Sequence, residues 1–565
     1  MPNLKYNRLL VLSDTLKAGN QFEFPNKLNL ITADDNSVGK STVVKLIFWV
    51  FGCEPYFDST WEAFDCKVIL DFSIDTEDYK IHRYKDIIHF KDSNSDYQKY
   101  IKVTGDFSIM LAELFSFKAK LPKRNTEVLE TPPPAFYFSP FYIDQKKSWS
   151  QAWENFDKLG QYSNWKKVII NYHIGLLTPE HFEIEEDIYK NKELKKTIGD
   201  ELTKLKTATN VINNYIPKTN ATTEIDEFEV MTEEIKIELQ ELSENQEKVL
   251  NKITIDESER TYLQQQAIIS ENIIKQLDAD YTFAVENVHE DKLECPLCGV
   301  LHENSVINRA SILADKQQAE EQLKDIFKSL NRLERGIQKT NNELEEIRIS
   351  IQKINEKYIS ENKNDLNLNQ VLDVYASNKI QNKIEKTIEG KIVEENNIDE
   401  ENDEYKKEQK ALLSKEDKEN INNYFIDTFS SYISTLDAEG VNLSKIKKPT
   451  DHSKVSKEGG AAEGIRGILS YYLTIYLMVH KFGNEVVAPF VIDTPNQHEQ
   501  SIKNYDNIVE ILSNDLPIDS QLILCAMDNK HIEPFAKNAH VIRLDSKKIL
   551  QEEMYLELKE KFKLK

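Results

Sequence analysis

Asp34-Asp35-Asn36-Ser37-Val38-Gly39-Lys40-Ser41-Thr42 follows the apolar run LNLITA and opens the apolar stretch STVVKLIFWVF. A turn between a strand and a helix aims several backbone N–H groups at one point, and the helix N-terminus adds partial positive charge. The stretch therefore suits the phosphates of a nucleotide. Asn36, Ser37, Val38, Gly39 and Thr42 are expected to wrap the phosphates of ATP. Lys40 is expected to reach the β- and γ-phosphates, and the Ser41 hydroxyl to bind Mg²⁺. Asp34 stands where this motif has its first glycine and puts a carboxylate near phosphate, which weakens binding. Far along the chain, Ala488-Pro489-Phe490-Val491-Ile492-Asp493 is an apolar strand ending on a carboxylate. P-loop enzymes present their second Mg²⁺-binding acid in this way. An aspartate in that place also serves as a plain turn former.

A second group of residues has metal chemistry. Cys295-Pro296-Leu297-Cys298-Gly299 offers two thiolates at zinc-knuckle spacing. Structural zinc takes four ligands, so a second copy of the chain would complete a Cys₄ site and make the motif a Zn²⁺-dependent dimer contact. His289 and His302 offer an alternative within one chain, and an unmetallated pair is the third reading. Cys53, Cys66 and Cys525 sit singly in apolar surroundings and read as small core residues.

The elements that must position these groups differ along the chain. Residues 1–110 alternate short apolar runs with turns, as strands do, around the one helix after the phosphate loop. Residues 464–545 alternate helix and strand, which favours a parallel sheet. Neither end looks complete alone. Between them, Pro296 is the one proline between Pro217 and Pro449, and Glu, Lys, Gln, Leu and Ile dominate, as long helices require. Leu323/Ile326/Leu330/Leu333/Ile337 follow a heptad seam. Two such stretches around one turn read as an antiparallel coiled-coil hairpin whose arms would reach roughly 80 Å at helical rise. An ordinary helical bundle is the competing reading, because the heptads break near Pro217 and Asn362–Asn369.

The formal charge of the 565 residues is −24. By count, residues 181–425 hold roughly −20 of it and the two ends roughly −4. The acidity belongs to solvated helices, so it does not exclude nucleic acid at the ends, where Lys118/Lys120/Lys123/Arg124 and Lys445/Lys447/Lys448/Lys454/Lys457 cluster. These clusters read either as solvated loops or as phosphate contacts. No apolar run reaches the ~18 residues of a membrane span, and the N-terminus lacks signal-peptide character. The expectation is a cytoplasmic protein with no membrane partner.

Phosphate loop, helical arm, C-x-x-C tip, returning arm and Asp-terminated strand together resemble the SMC-like ABC ATPases, most closely the zinc-hook branch of double-strand-break repair. The wording IDTPNQHEQ and FYIDQKKSWSQAW, with the compact size, is similar to the SMC-like subunits of Lamassu-type bacterial anti-phage defence systems. The resemblance implies an α/β fold: a split ABC-type P-loop head formed by residues 1–180 and 426–565. The arms would be residues 181–294 and 305–425, with the zinc-hook tip at 295–304. It implies that Asn36 is the family's phosphate-loop asparagine and that Gln145 lies near Mg²⁺ and the attacking water. It places the signature, with Ser456, Gly459 and Gly460, across a dimer from the γ-phosphate. Where that family has a glutamate after the metal aspartate, this chain has Thr494, and Glu499 is the candidate substitute. The implied function is an ATPase, slow if nothing replaces that glutamate. It would form a homodimer through heads and hook, bind double-stranded DNA or DNA ends, and control a separate effector subunit, a nuclease by expectation, with room for a small accessory subunit. A host repair ATPase and a weakly hydrolysing ATP-binding scaffold are the alternatives.

Overall fold

The computed structural model describes residues 2–35, 38–58, 61, 65–93, 95–123, 128–215, 233–286, 292–294, 301–303, 306–358, 368–455, 460–495, 500–544 and 549–563. The chain forms two compact units, one of residues 1–190 with 402–565 and one of residues 191–401.

The first unit holds two large sheets. β1 (Leu4–Ser13), β2 (Ala18–Glu23), β4 (Cys66–Ile74), β5 (Glu77–Tyr84), β6 (Ile87–Asp92) and β7 (Gln98–Tyr100) form an antiparallel sheet in the order β2-β1-β4-β5-β6-β7. The second sheet is parallel, in the order β10-β13-β14-β3-β15. Its strands are β3 (Leu28–Ala33), β10 (Tyr142–Ile143), β13 (Phe490–Asp493), β14 (Leu522–Met527) and β15 (His540–Arg543). Every residue of β3 and β13 is buried, as expected of parallel strands covered on both faces. Two of the five strands come from the N-terminal part of the chain and three from the C-terminal part, with β3 hydrogen-bonded between β14 and β15.

The helices of this unit are α1 (Lys40–Val50), α2 (Asp106–Leu114), α3 (Pro134–Phe138), α4 (Trp165–His173), α9 (Lys415–Thr435), α10 (Ala461–Phe482), α11 (Ile502–Asn514), α12 (Glu533–Ala536) and α13 (Tyr555–Lys561). A small ribbon, β8 (Leu121–Pro122) with β9 (Leu129–Glu130), lies beside them in sequence. One hydrophobic core joins both ends of the chain. Phe48 of α1 and Phe51, just after it, pack on Phe138, and Tyr142 lies against Phe48. In the same core Trp153 donates to Tyr471 of α10 through its indole N–H, and its backbone N–H donates to the hydroxyl of Tyr472. His173 Nδ1 and Glu485 Oε1 lie 2.5 Å apart with no exposed side-chain surface.

The second unit contains most of α5 (Pro179–Tyr215) and α8 (Leu368–Ala411), and all of α6 (Glu233–Glu286) and α7 (Val306–Tyr358). β11 (Lys292–Glu294) and β12 (Leu301–Glu303) pair antiparallel between α6 and α7, so these two helices are the expected hairpin. The arms do not continue it. The Ser258 hydroxyl donates to the carbonyl of Lys204, Lys204 pairs with Glu259, and Ala208 packs with Leu250 and Ile253. Rising numbers on α6 thus meet falling numbers on α5, and α6 runs back along it. Leu344 of α7 and Ile380 and Ile384 of α8 complete the same core, while Ile198 and Leu202 meet Ile398. Within this unit the expectation of one extended ascending and one descending arm gives way to an antiparallel four-helix bundle, the competing reading. Pro217 and Asn362–Asn367 lie outside the described residues, and within them α5 meets α6 and α7 meets α8 through apolar seams shared by all four helices.

Candidate functional site

The carboxyl ends of parallel strands are where open α/β sheets bind ligands. Here β3 delivers residues 34–39, and α1 begins at Lys40. Among the described residues no side chain caps α1, and its first turn carries no acid. The N–H groups of Thr42 and Val43 donate to the Gly39 carbonyl at 3.0 and 3.2 Å, and the positive dipole end of the helix faces the turn, where it suits an anion. Gly39 has φ 101°, and a Cβ there would lie 2.4 Å from the Cγ1 of Ile549, so glycine is required on both counts.

Lys40 is 7% exposed, and its ammonium donates to the carbonyl of Asp35 at 2.9 Å. Burial pulls its pKa down, opposed by Cys525, Asp493 and Asp35. Ser41 Oγ lies 2.9 Å from Gln145 Oε1 and 3.0 Å from Asp493 Oδ1. Three residues far apart in sequence thus meet at one hydroxyl. Asp493 is fully buried at the end of β13, and its Oδ2 has no hydrogen-bond partner in the described structure. Burial pushes its carboxyl up to about 6, with Asp144 adding to the rise and Ser41, Lys45 and Thr494 opposing it. A buried carboxylate with an orphaned oxygen, beside a serine hydroxyl and an amide oxygen, is an all-oxygen donor set suited to Mg²⁺. Ser41, Asp493 and Gln145 would hold that ion, which when bound would supply positive charge to offset that of phosphate.

Other side chains fix this arrangement. Trp149 donates its indole N–H to the Asp493 carbonyl at 2.9 Å, tying the Gln145 segment to the end of β13. Thr494 has φ 59°, a strained value for a β-branched residue, and its hydroxyl donates to Asp493 Oδ1 at 3.1 Å. Asp34 does not face inward: its side chain is 80% exposed, 3.5 Å from Arg543, which also pairs with Asp528 at 2.5 Å. Val38 lies in the turn before α1, and Thr42 lies in its first turn. Gly460 opens α10, where its N–H donates to Glu463 at 3.0 Å. Asn36, Ser37, Ser456, Gly459, Glu499, Cys295, Cys298, His289 and Arg124 lie outside the described residues. His302 is described only as part of the β12 backbone.

Sequence reading missed Lys45, Asp144 and Trp149. The signal for Lys45 was its spacing, four residues after Ser41 and so on the same face of α1. Asp144 precedes Gln145, yet nothing local distinguishes it from a loop acid.

The acid-ended strand β13 and the strand β3 that leads into residues 34–39 thus lie in one parallel sheet, one strand apart across β14, in a sheet drawn from both ends of the chain. No family model matches the chain. Two curated relatives do. The chain is 22% identical over 539 residues, 94% of its own length and 91% of the relative's, to the Lamassu protein LmuB of Bacillus cereus strain VD014. It is also 22% identical over 578 residues, 97% of each chain, to the Lamassu protein LmuB of Bacillus sp. strain NCIM 5461. The resemblance to Lamassu-type SMC-like subunits is thereby supported across almost the whole chain.

Proposed function

We propose that this chain is the SMC-like ATPase subunit of a Lamassu-type anti-phage defence system. In this reading the unit with the mixed-origin parallel sheet is an ABC-type head. It binds MgATP through residues 36–42, Gln145 and Asp493, and pairs with a second head whose Ser456–Gly460 segment completes the site. ATP occupancy then biases an open–closed equilibrium to which DNA and a separate effector, a nuclease by expectation, are coupled. The observation that carries the reading is the meeting of Ser41, Gln145 and Asp493 at 2.9 and 3.0 Å. The name of the whole-length relatives favours defence over host repair. The basic clusters Lys118/Lys120/Lys123/Arg124 and Lys445/Lys447/Lys448/Lys454/Lys457 are proposed to meet DNA phosphates (Arg124 and Lys457 lie outside the described residues), and Cys295 with Cys298 is proposed to hold Zn²⁺ with a second chain.

The deciding experiment is steady-state ATP hydrolysis by the purified chain with and without linear double-stranded DNA, against the Asp493→Asn variant. DNA-stimulated turnover that the variant loses supports the reading. Turnover equal in both proteins removes Asp493 from the metal site. A second reading, a nucleotide-binding scaffold that hardly hydrolyses, is favoured by Thr494. The residue after Asp493 offers a hydroxyl already engaged with the carboxylate, and no acid to orient water. Tight ATP binding without turnover, in the presence of DNA, would select it. Glu499→Gln tests the remaining acid: ATP-trapped dimers support its role, and parental turnover excludes it.

A further inference from the structure

We propose that Lys45 and Asp144 are a positioning pair that ties the helix after the phosphate loop to the turn carrying Gln145. This rests on the nucleotide-site reading above. Ser41 and Lys45 lie one turn apart on α1. Ser41 meets Gln145 and Asp493, and one turn on, Lys45 Nζ lies 3.9 Å from Asp144 Oδ1. Both side chains are buried, at 6% and 0% exposure.

Asp144 is also the template of its own turn. Its Oδ2 accepts the backbone N–H groups of Lys146 at 2.7 Å and Lys147 at 3.2 Å, and its N–H donates to the hydroxyl of Ser148 at 3.0 Å. Tyr142 donates its hydroxyl to Oδ1 at 3.1 Å. A loop acid that only shaped a turn would need no lysine from another element. Burying an ammonium is costly unless it is paired, and Lys45 offsets that cost with Asp144 and with the carbonyl of Tyr56 at 2.8 Å. Among the described ion pairs, Lys45 is the one cation facing Asp144. The helix that bears the phosphate ligands therefore also sets the height of the Gln145 turn. When α1 settles on phosphate, the amide oxygen of Gln145 moves with Ser41 as one body.

The test uses the full chain with Lys45→Met, Lys45→Arg, Asp144→Asn and the double Lys45→Met/Asp144→Asn. Asp144→Asn keeps an oxygen for the two backbone N–H groups and removes only the charge. In nucleotide-free protein, amide exchange over residues 145–148 is expected to quicken by about tenfold in Lys45→Met and Asp144→Asn and to stay near wild type in Lys45→Arg. ATP binding in EDTA should stay within about twofold, while kcat falls roughly tenfold with KM for MgATP within about threefold. The double variant should be no worse than the poorer single, since the pair acts as a unit. Unchanged exchange over 145–148, or losses that multiply in the double variant, overturns the pairing. If Lys45→Met does not fold, Asp144→Asn and Lys45→Arg carry the same comparison. A wild-type chain that binds no nucleotide would overturn the ATPase reading, while the exchange measurement still decides the pair.

Discussion

Each residue at the phosphate loop has a separable job. Lys40 is an ammonium held by the Asp35 carbonyl and the weak Met527 sulfur acceptor and poised for a stronger partner, so Lys40→Ala should weaken ATP binding by at least about tenfold, the worth of one charge-assisted hydrogen bond. Calorimetric titration checks it, and undiminished affinity would remove the phosphate-loop assignment. Asp34 adds a negative charge beside the same loop, only partly offset at the surface by Arg543. Asp34→Gly should tighten ATP by a few-fold at low ionic strength, and the gain should shrink as salt screens the carboxylate. A gain that ignores salt would point to loop conformation instead.

At the scale of elements, α13 is too short to persist alone and exists because it is packed. Leu558 and Phe562 close a small core with Leu10, Leu12 and Ile69 on the outer face of the antiparallel sheet. Leu558→Ala should cost about 2–4 kcal/mol of stability in denaturant unfolding. His82 lies under the Phe562 ring with neither ring nitrogen hydrogen-bonded in the described structure. Burial, with the neighbouring His89 and Lys67 adding to it, lowers its pKa to about 4. The folded state thus keeps His82 neutral where the unfolded chain, titrating near 6.5, takes up a proton. Its contribution to stability is full above about pH 6.5, is lost as pH falls toward 4, and is flat below that. His82→Leu should recover up to about 3 kcal/mol of the loss on the acid side, read from unfolding midpoints between pH 7 and 4. An unaltered acid slope would assign the loss to His452 and His480, whose pKa values are also lowered to about 4 by burial.

At the scale of the whole molecule, the parallel sheet cannot be completed from either end of the chain. β3 needs β14 and β15 on its two sides, and β10 needs β13. Residues 1–190 and 402–565 expressed separately should each lack a cooperative unfolding transition, and co-expression should restore one. A separately folded N-terminal piece would contradict the shared core. For the proposed zinc contact, metal analysis should find half an equivalent of zinc per chain, and Cys295→Ser with Cys298→Ser should abolish it while ATP binding persists. One zinc per monomeric chain would instead favour ligands drawn from a single molecule, with His289 and His302 the first to test.

What could be read in advance follows the range of the forces concerned. The strand before the phosphate loop, the uncapped start of α1 and the acid at the end of β13 are local patterns of burial and backbone, so they stand in the sequence itself. The meeting of Ser41 with Gln145 across 104 positions, and with Asp493 across 452, is set by strand order, which no local pattern encodes. Lys45 and Asp144 are legible only as a pair, because a charge declares its partner through distance and not through spacing. The arms show the same division. Heptads at Leu323–Ile337 announced that α7 has an apolar seam. Which helix covers which seam was decided by tertiary structure, since a hydrophobic stripe has no preference among equally apolar partners until chain reversal brings one alongside.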